Sequence, residues 1–257
     1  MNEFQRKIDS SQLEEGDVLF KIINHTSGVI AKSISFFSPI PLWLNFSGHR
    51  RKTSDLYSQD PCKITHVAFS MGQDGLFEYD ETRGIFEIMR FRGAGVAYTP
   101  DPSFKTHGGK EYLVVRCVNK KLSEKAYRKA LTIHSCWATS RSTSYGIRKA
   151  INSFIFQKRG PSITNERLKR LESRLINETE SLIKTNRVNF FCSEFVAFIY
   201  IWAAIELAYY RLFDDPLKIF GTDRVRLIPS ELFCRMLHHG QFIPLGRVEF
   251  TEEWLLV

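Results

Sequence analysis

Asn189-Phe190-Phe191-Cys192-Ser193-Glu194-Phe195-Val196-Ala197-Phe198-Ile199-Tyr200 is the stretch on which the fold turns. It opens an apolar run from Phe190 to Tyr210 that is interrupted only by Glu194 and Glu206 among its charged positions. A run of about 20 apolar residues is long enough to span a bilayer. Two carboxylates and a cysteine inside it disfavour insertion, so the expectation is a buried core helix. A cysteine at the start of such a helix has its sulfur near unpaired backbone N–H groups and the positive end of the helix dipole. Both favour the thiolate, which is the nucleophilic form.

A cysteine nucleophile needs a base, and the base needs a partner that fixes its tautomer. Upstream, Ile64-Thr65-His66-Val67-Ala68-Phe69-Ser70-Met71 and Leu76-Phe77-Glu78-Tyr79-Asp80-Glu81 flank Gly72-Gln73-Asp74-Gly75. Two strand-like runs around a Gly- and Asp-containing turn predict a β-hairpin. If Met71 and Leu76 close the turn, His66 lies opposite Glu81, on one face with Cβ atoms about 5 Å apart. In that register Glu78 pairs with Phe69 and points to the other face. Spacing therefore nominates Cys192, His66 and Glu81 together. The plain alternative is a buried structural cysteine and a structural strand histidine.

The remaining chain is expected to be mixed. Leu13 to Ile22 is a turn, Gly16-Asp17, followed by a short apolar strand. Ser27 to Phe37 carries Val29, Ile30, Ser33, Ile34 and Phe37 at helical spacing. Pro39 and Pro41 break regular structure, and Gly48-His49-Arg50-Arg51-Lys52 is a basic loop. Strands are expected at Gly84–Met89 and Glu111–Val118, with Gly93 to Gly109 as a Gly- and Pro-rich connection. From Ser123 a helix buries Ala126, Ala130, Ile133 and Trp137. The polar stretch Thr139 to Tyr145 leads into a second helical run, Ile147 to Phe156. Thr164 to Thr185, rich in Lys, Arg and Glu, reads as a surface helix or helical hairpin. Pro229 marks a helix start, and a last strand is expected near Phe242 to Leu245. The sum is one α+β domain over 1–257 with a helical insertion at about 157–188.

The chain has 257 residues, 43% of them hydrophobic and 13% aromatic, a globular composition. Its formal charge of +8 suits an anionic partner such as a membrane surface. Nucleic acid has only that charge in its favour, so no nucleic-acid partner is expected. Five cysteines without tight spacing do not form a disulfide framework. Neither Cys62 with His66 nor Cys234 with His238 and His239 has the paired spacing of a zinc site. Gly93-Ala94-Gly95 lacks the lysine and helix of a phosphate loop. The expectation is therefore no metal and no cofactor. Met1 to Asp9 is charged with no apolar core, so no signal peptide is expected. A cytoplasmic protein fits, as does one exported without a cleavable signal, an injected effector included.

Four blocks occur in order: Gly16-Asp17-Val18-Leu19-Phe20, Thr65-His66-Val67-Ala68-Phe69, Phe191-Cys192-Ser193-Glu194-Phe195-Val196 and Ile228-Pro229-Ser230-Glu231-Leu232. Together they resemble the circularly permuted NlpC/P60 cysteine hydrolases, in the YiiX-like branch of the papain-like superfamily. In papain the nucleophile precedes the histidine; here His66 precedes Cys192, as the permuted branch implies. That branch has a glutamate on the strand after the histidine, which falls on Glu81. Tyr145 is similar to a tyrosine some relatives carry upstream of the cysteine, although Gly146 follows it where an acidic residue is usual. With Ser193, it is a candidate for contact with substrate or oxyanion; a structural tyrosine is the other option. The resemblance implies an antiparallel sheet or barrel packed on helices, and acyl transfer from an amide or ester. Cys192 would attack, His66 relay the proton and Glu81 orient the imidazole. Substrates in such a family include peptides, peptidoglycan stems and N-acyl or other acyl-lipids. The opposing expectation is a non-catalytic binding module, lipid- or membrane-associated, that keeps the fold.

Overall fold

The structure is a computed structural model and describes residues 3–23, 63–72, 76–78, 97–99, 110–140, 173, 177, 192–213, 216–221, 227–238 and 240–250. The helix expected at Ser27–Phe37, the Pro-broken segment and basic loop after it, the strand at Gly84–Met89 and the helical run at Ile147–Phe156 lie outside these residues. Within the 157–188 insertion only Ser173 and Asn177 are described, both helical and exposed.

Among the described residues the strands are β1 (Glu15–Ile22), β2 (Ile64–Met71), β3 (Leu76–Glu78), β4 (Ala97–Thr99), β5 (Lys110–Cys117) and β6 (Phe242–Phe250). They form one antiparallel sheet in the order β4-β3-β2-β1-β5-β6. The helices are α1 (Lys120–Ser140), α2 (Cys192–Tyr209) and α3 (Pro229–His238). The class is α+β.

Two faces of the sheet are covered, which is why β2 is buried along its whole length and shows no polar alternation. Val18 and Phe20 of β1, Val67, Phe69 and Met71 of β2, and Leu113 and Val115 of β5 join one core with the three helices. Leu19, Ala68, Tyr112, Val114 and Val248 form a second cluster with Ile8 and Leu13. Those last two come from the N-terminal segment. It is stitched to β6 by Ile8 N–H donating to the Arg247 carbonyl and Arg247 N–H to the Arg6 carbonyl, both at 2.8 Å.

Helix α2 is apolar on all sides because it has neighbours on several: it packs against β2, α1 and α3. It is long and apolar enough to cross a membrane, yet most of it is buried inside the protein. Tyr200 centres it, with ring centroids 5.9 Å from Phe69 and 5.0 Å from Phe242. Burial holds the Tyr200 hydroxyl protonated, and it donates to the Gly16 carbonyl.

Gly16 explains the first sequence block. Between the pairs Glu15↔Met71 and Val18↔Phe69, β1 advances one residue more than β2, a bulge. Gly16 sits in that bulge at φ 90°, and a Cβ there would lie 2.0 Å from Ser123 Oγ. Only glycine meets both demands. Asp17 then turns inward, 1% exposed, and Arg116 on β5 grips its carboxylate through two hydrogen bonds of 2.8 and 2.7 Å.

Three expectations need correction. The helix expected from Ser123 starts at Lys120, because the Asn119 side chain caps it by accepting from Leu122 N–H at 3.2 Å. The connection expected from Gly93 to Gly109 contains β4, a short strand that the Gly- and Pro-rich composition concealed. The last strand runs to Phe250 and not only to Leu245, since it pairs with all of β5.

Candidate active site

Cys192 begins α2, and His66 lies in β2. Their relation follows from how α2 runs along the sheet. Ser123, near the start of α1, donates its hydroxyl to the Glu15 carbonyl at 2.9 Å, and Glu15 pairs with Met71. The start of α1 therefore marks the Met71 end of β2. Lys125 and Lys129 of α1 both pair with Glu206, and the Lys129 ammonium sits 4.1 Å from the Trp202 ring centroid. The C-terminal half of α2 is thus at the Met71 end, and its N-terminus points the other way.

The same sense puts Cys192 level with His66. Tyr200 touches Phe69. From Tyr200 back to Cys192 is about 12 Å of helix at 1.5 Å per residue. From Phe69 back to His66 is about 10 Å of strand at about 3.3 Å per residue. Helix and strand run the same way, so both residues arrive at one end of the sheet. Cys192 is 2% exposed and His66 8%.

Helix α3 starts at that end too. The Ser193 hydroxyl donates to the Leu227 carbonyl at 2.5 Å, tying the first turn of α2 to the segment that enters α3. Pro229 takes the first helical position, as its missing N–H permits. Leu232 N–H bonds the Ile228 carbonyl at 2.9 Å and closes the first turn. Phe233 lies 5.1 Å, centroid to centroid, from Phe20, which pairs with Val67. Ser230 and Glu231 in this first turn are fully buried. The Glu231 carboxylate accepts from Arg235 Nε at 2.9 Å, and Arg235 also donates to the Phe220 carbonyl at 2.9 Å. The Ser193 hydroxyl is thus committed as a donor to backbone, a structural duty that its nomination for oxyanion contact did not include.

The hairpin register differs from expectation. Ser70 pairs with Leu76, Phe69 with Phe77 and Ala68 with Glu78. The expected register had Met71 opposite Leu76 and Glu78 opposite Phe69. The turn supplies a reason: Gly72 N–H bonds back to Ser70 Oγ at 3.0 Å and Gly72 adopts φ 70°. That local loop ends the β2–β3 ladder one residue early. On this register His66 is no longer opposite Glu81. On the observed register Glu78 holds the position in phase with Ala68 and His66, two residues along from His66. Glu81 and Tyr145 lie outside the described residues.

His66 carries a second irregularity. It pairs with Lys21, whereas Ile64 pairs with Ile22, so Thr65 is an extra residue in β2. Ile64, Val67 and Phe69 all join the helix-side core. Simple alternation from Ala68 assigns His66 the opposite face. The bulge at Thr65–His66 interrupts that alternation at the nominated base, and bulges of this kind re-aim side chains. The structure thus brings Cys192, His66 and Ser193 to one end of the sheet, with Glu78 on the neighbouring strand.

Ser230 was quoted in the fourth sequence block but not singled out. Its signal is structural: its hydroxyl is buried and makes no hydrogen bond. Cys117 and Cys234 are also buried thiols, and Cys117 is held inert, its pKa pushed up by burial to about 12. No family model, curated protein or solved structure matches the chain.

Proposed function

We propose that this is a cysteine hydrolase or acyltransferase of the permuted NlpC/P60, papain-like kind, acting on an amide or ester carbonyl of a peptide or acyl-lipid. One observation carries the proposal: Cys192 opens a buried 18-residue helix at the end of the sheet to which β2 brings His66. The helix start favours thiolate there. The sulfur attacks the carbonyl carbon and the carbonyl π pair moves to oxygen. The proton released from the thiol passes to His66 and then to the leaving amine or alcohol. Backbone N–H groups of the first turn of α2 face the developing negative charge. The resulting thioester on Cys192 is released by water in a hydrolase, or by a second nucleophile in a transferase.

The resemblance implies Glu81 as the acid that orients His66, while the observed register puts Glu78 opposite Ala68, two residues along from His66. A residue at that diagonal position is about 7–8 Å away across an antiparallel pair, within reach of a long side chain. Comparing Glu78→Gln with Glu81→Gln decides between them: the variant that slows thiol labelling more identifies the orienter.

The phase of His66 supports a second reading, a binding module in which His66 is structural. A small thiol-directed electrophile distinguishes the two. On the catalytic reading it labels Cys192, labelling is abolished in Cys192→Ala, and His66→Ala moves the midpoint of its pH profile. Equal labelling of wild type and Cys192→Ala would remove the nucleophile. An unchanged profile in His66→Ala would remove the base.

A further inference from the structure

Ser230 is the one described serine whose buried hydroxyl has no hydrogen-bond partner. Leaving a buried hydroxyl unpaired costs roughly 1–3 kcal/mol, so such a group in a folded protein calls for a reason. Its position narrows the reasons. Ser230 is the second residue of α3, and Leu232 N–H already uses the Ile228 carbonyl. The Ser230 backbone N–H is therefore among the first-turn donors with no intrahelical acceptor.

Direction comes from Phe233, three residues on. Residues three apart share a helix face, and Phe233 packs against Phe4 and against Phe20 of β1. Ser230 thus lies on the sheet-facing side of α3, toward its start. Level comes from the same contact. Phe20 pairs with Val67, and three residues back from Phe233 is about 4.5 Å of helix. That distance corresponds to between one and two strand residues and reaches the level of His66. The Ser193–Leu227 hydrogen bond keeps the start of α2 beside this turn. Two helix N-termini converge here, one carrying Cys192 and the other a buried hydroxyl with no acceptor.

We infer that Ser230 is a catalytic residue that donates its hydroxyl to the oxyanion formed when Cys192 attacks an acyl carbonyl. The inference rests on the cysteine reading above and adds a second wall to that site, formed by α3. In the resting protein the hydroxyl lacks an acceptor; in the tetrahedral intermediate the former carbonyl oxygen supplies one. Interactions made only as the transition state forms are the ones that raise rate. Two helix N-termini tied together by the Ser193–Leu227 hydrogen bond both favour negative charge beside them.

The test separates carbonyl chemistry from plain thiol reactivity. p-Nitrophenyl acetate acylates a thiolate through a tetrahedral oxyanion: the S–C bond forms, the carbonyl pair moves to oxygen, then returns as p-nitrophenolate leaves and a thioester remains. Iodoacetamide alkylates the same sulfur by displacing iodide at a saturated carbon, and no oxyanion forms. Both rates are measured at Cys192 by mass spectrometry of the intact protein, for wild type and Ser230→Ala. The expected result is an acylation rate lower on the order of 100-fold in Ser230→Ala, with the alkylation rate and its pH profile within twofold of wild type. Ser230→Ala is also expected to melt at or above wild type, because it removes an unpaired buried hydroxyl. Equal effects on both reagents, or none on either, overturn the inference and leave the cysteine reading standing. A clear drop in melting temperature also overturns it, since the hydroxyl is then structural. If wild-type Cys192 takes up neither reagent, the cysteine reading fails and Ser230 fails with it.

Discussion

The two ends of the sheet are built to different rules. At the Met71 end the buried polar groups have matched partners. Asp17 meets Arg116, which also reaches Glu14 and the Gln12 carbonyl. Ser123 donates to Glu15 and Tyr200 to Gly16, both through backbone carbonyls. Glu206 holds Lys125 and Lys129. At the His66 end two helices start side by side, β2 carries an extra residue, and the Ser230 hydroxyl is buried with no partner. A chain that satisfies one end so fully and leaves a polar group unmatched at the other is accepting local cost where function is expected. The Met71 end carries the matched polar contacts, and the proposed function places the chemistry at the His66 end.

Breaking the matched end gives the largest effects. Arg116→Ala leaves the Asp17 carboxylate buried without its guanidinium. It is expected to lower stability by about 3–5 kcal/mol in denaturant unfolding, and a loss below about 1 kcal/mol would show that Asp17 does not need this partner. Tyr200→Phe keeps the ring contacts with Phe69 and Phe242 but removes the donor to Gly16. A loss of about 1–3 kcal/mol is expected, with thiol labelling at the far end unchanged. If labelling fell in step with stability, the two ends would not be separable.

The smallest effect is a titration. Burial pushes the Asp17 carboxyl above its ordinary 3.8, against the hydrogen bonds from Arg116. A raised carboxyl pKa means that the folded protein holds that proton more tightly than the unfolded chain does. The contribution of Asp17 to stability is therefore greatest below pH 3.8 and is lost as pH rises through the folded value. Against Asp17→Asn, wild type is expected to lose relative stability between pH 3 and neutral. A gain over that window would mean that Arg116 outweighs burial.

How much of this was legible in the sequence depends on the range of the interaction. The start of α2 could be read because a long, mainly apolar run with only two charged positions surrounds Cys192, and that of α3 because Pro229 suits a first helical turn. β2 could be read as a short, largely apolar run ending at the Gly72 turn. The hairpin register could not, since it depends on one hydrogen bond, Gly72 to Ser70, inside a turn whose composition admits several geometries. The bulge at Thr65 leaves no mark in composition, and β4 is three residues long in a Gly- and Pro-rich stretch. The Asp17–Arg116 pair joins residues 99 apart and belongs to the β1–β5 pairing, which no local pattern specifies. At the candidate site Cys192 and His66 were readable as residue types. The unmatched state of Ser230 was not, because it appears only once every neighbouring donor and acceptor is placed.

On the proposed function, one buried cysteine differs in kind from its equally buried counterparts. Cys192 is 2% exposed, Cys234 4% and Cys117 5%, so access alone does not separate them. Burial pushes the Cys117 thiol up to about 12, which keeps it protonated at neutral pH. The direct measurement is the rate of iodoacetamide alkylation at each of the three, followed by peptide mass spectrometry on the folded protein across pH 6 to 9. Cys192 is expected to react first, with a pH midpoint below the ordinary thiol value of about 8.5 and a profile that shifts in His66→Ala. If Cys192 reacts no faster than Cys117, with no midpoint in that range, the protein has no activated cysteine and the account is wrong.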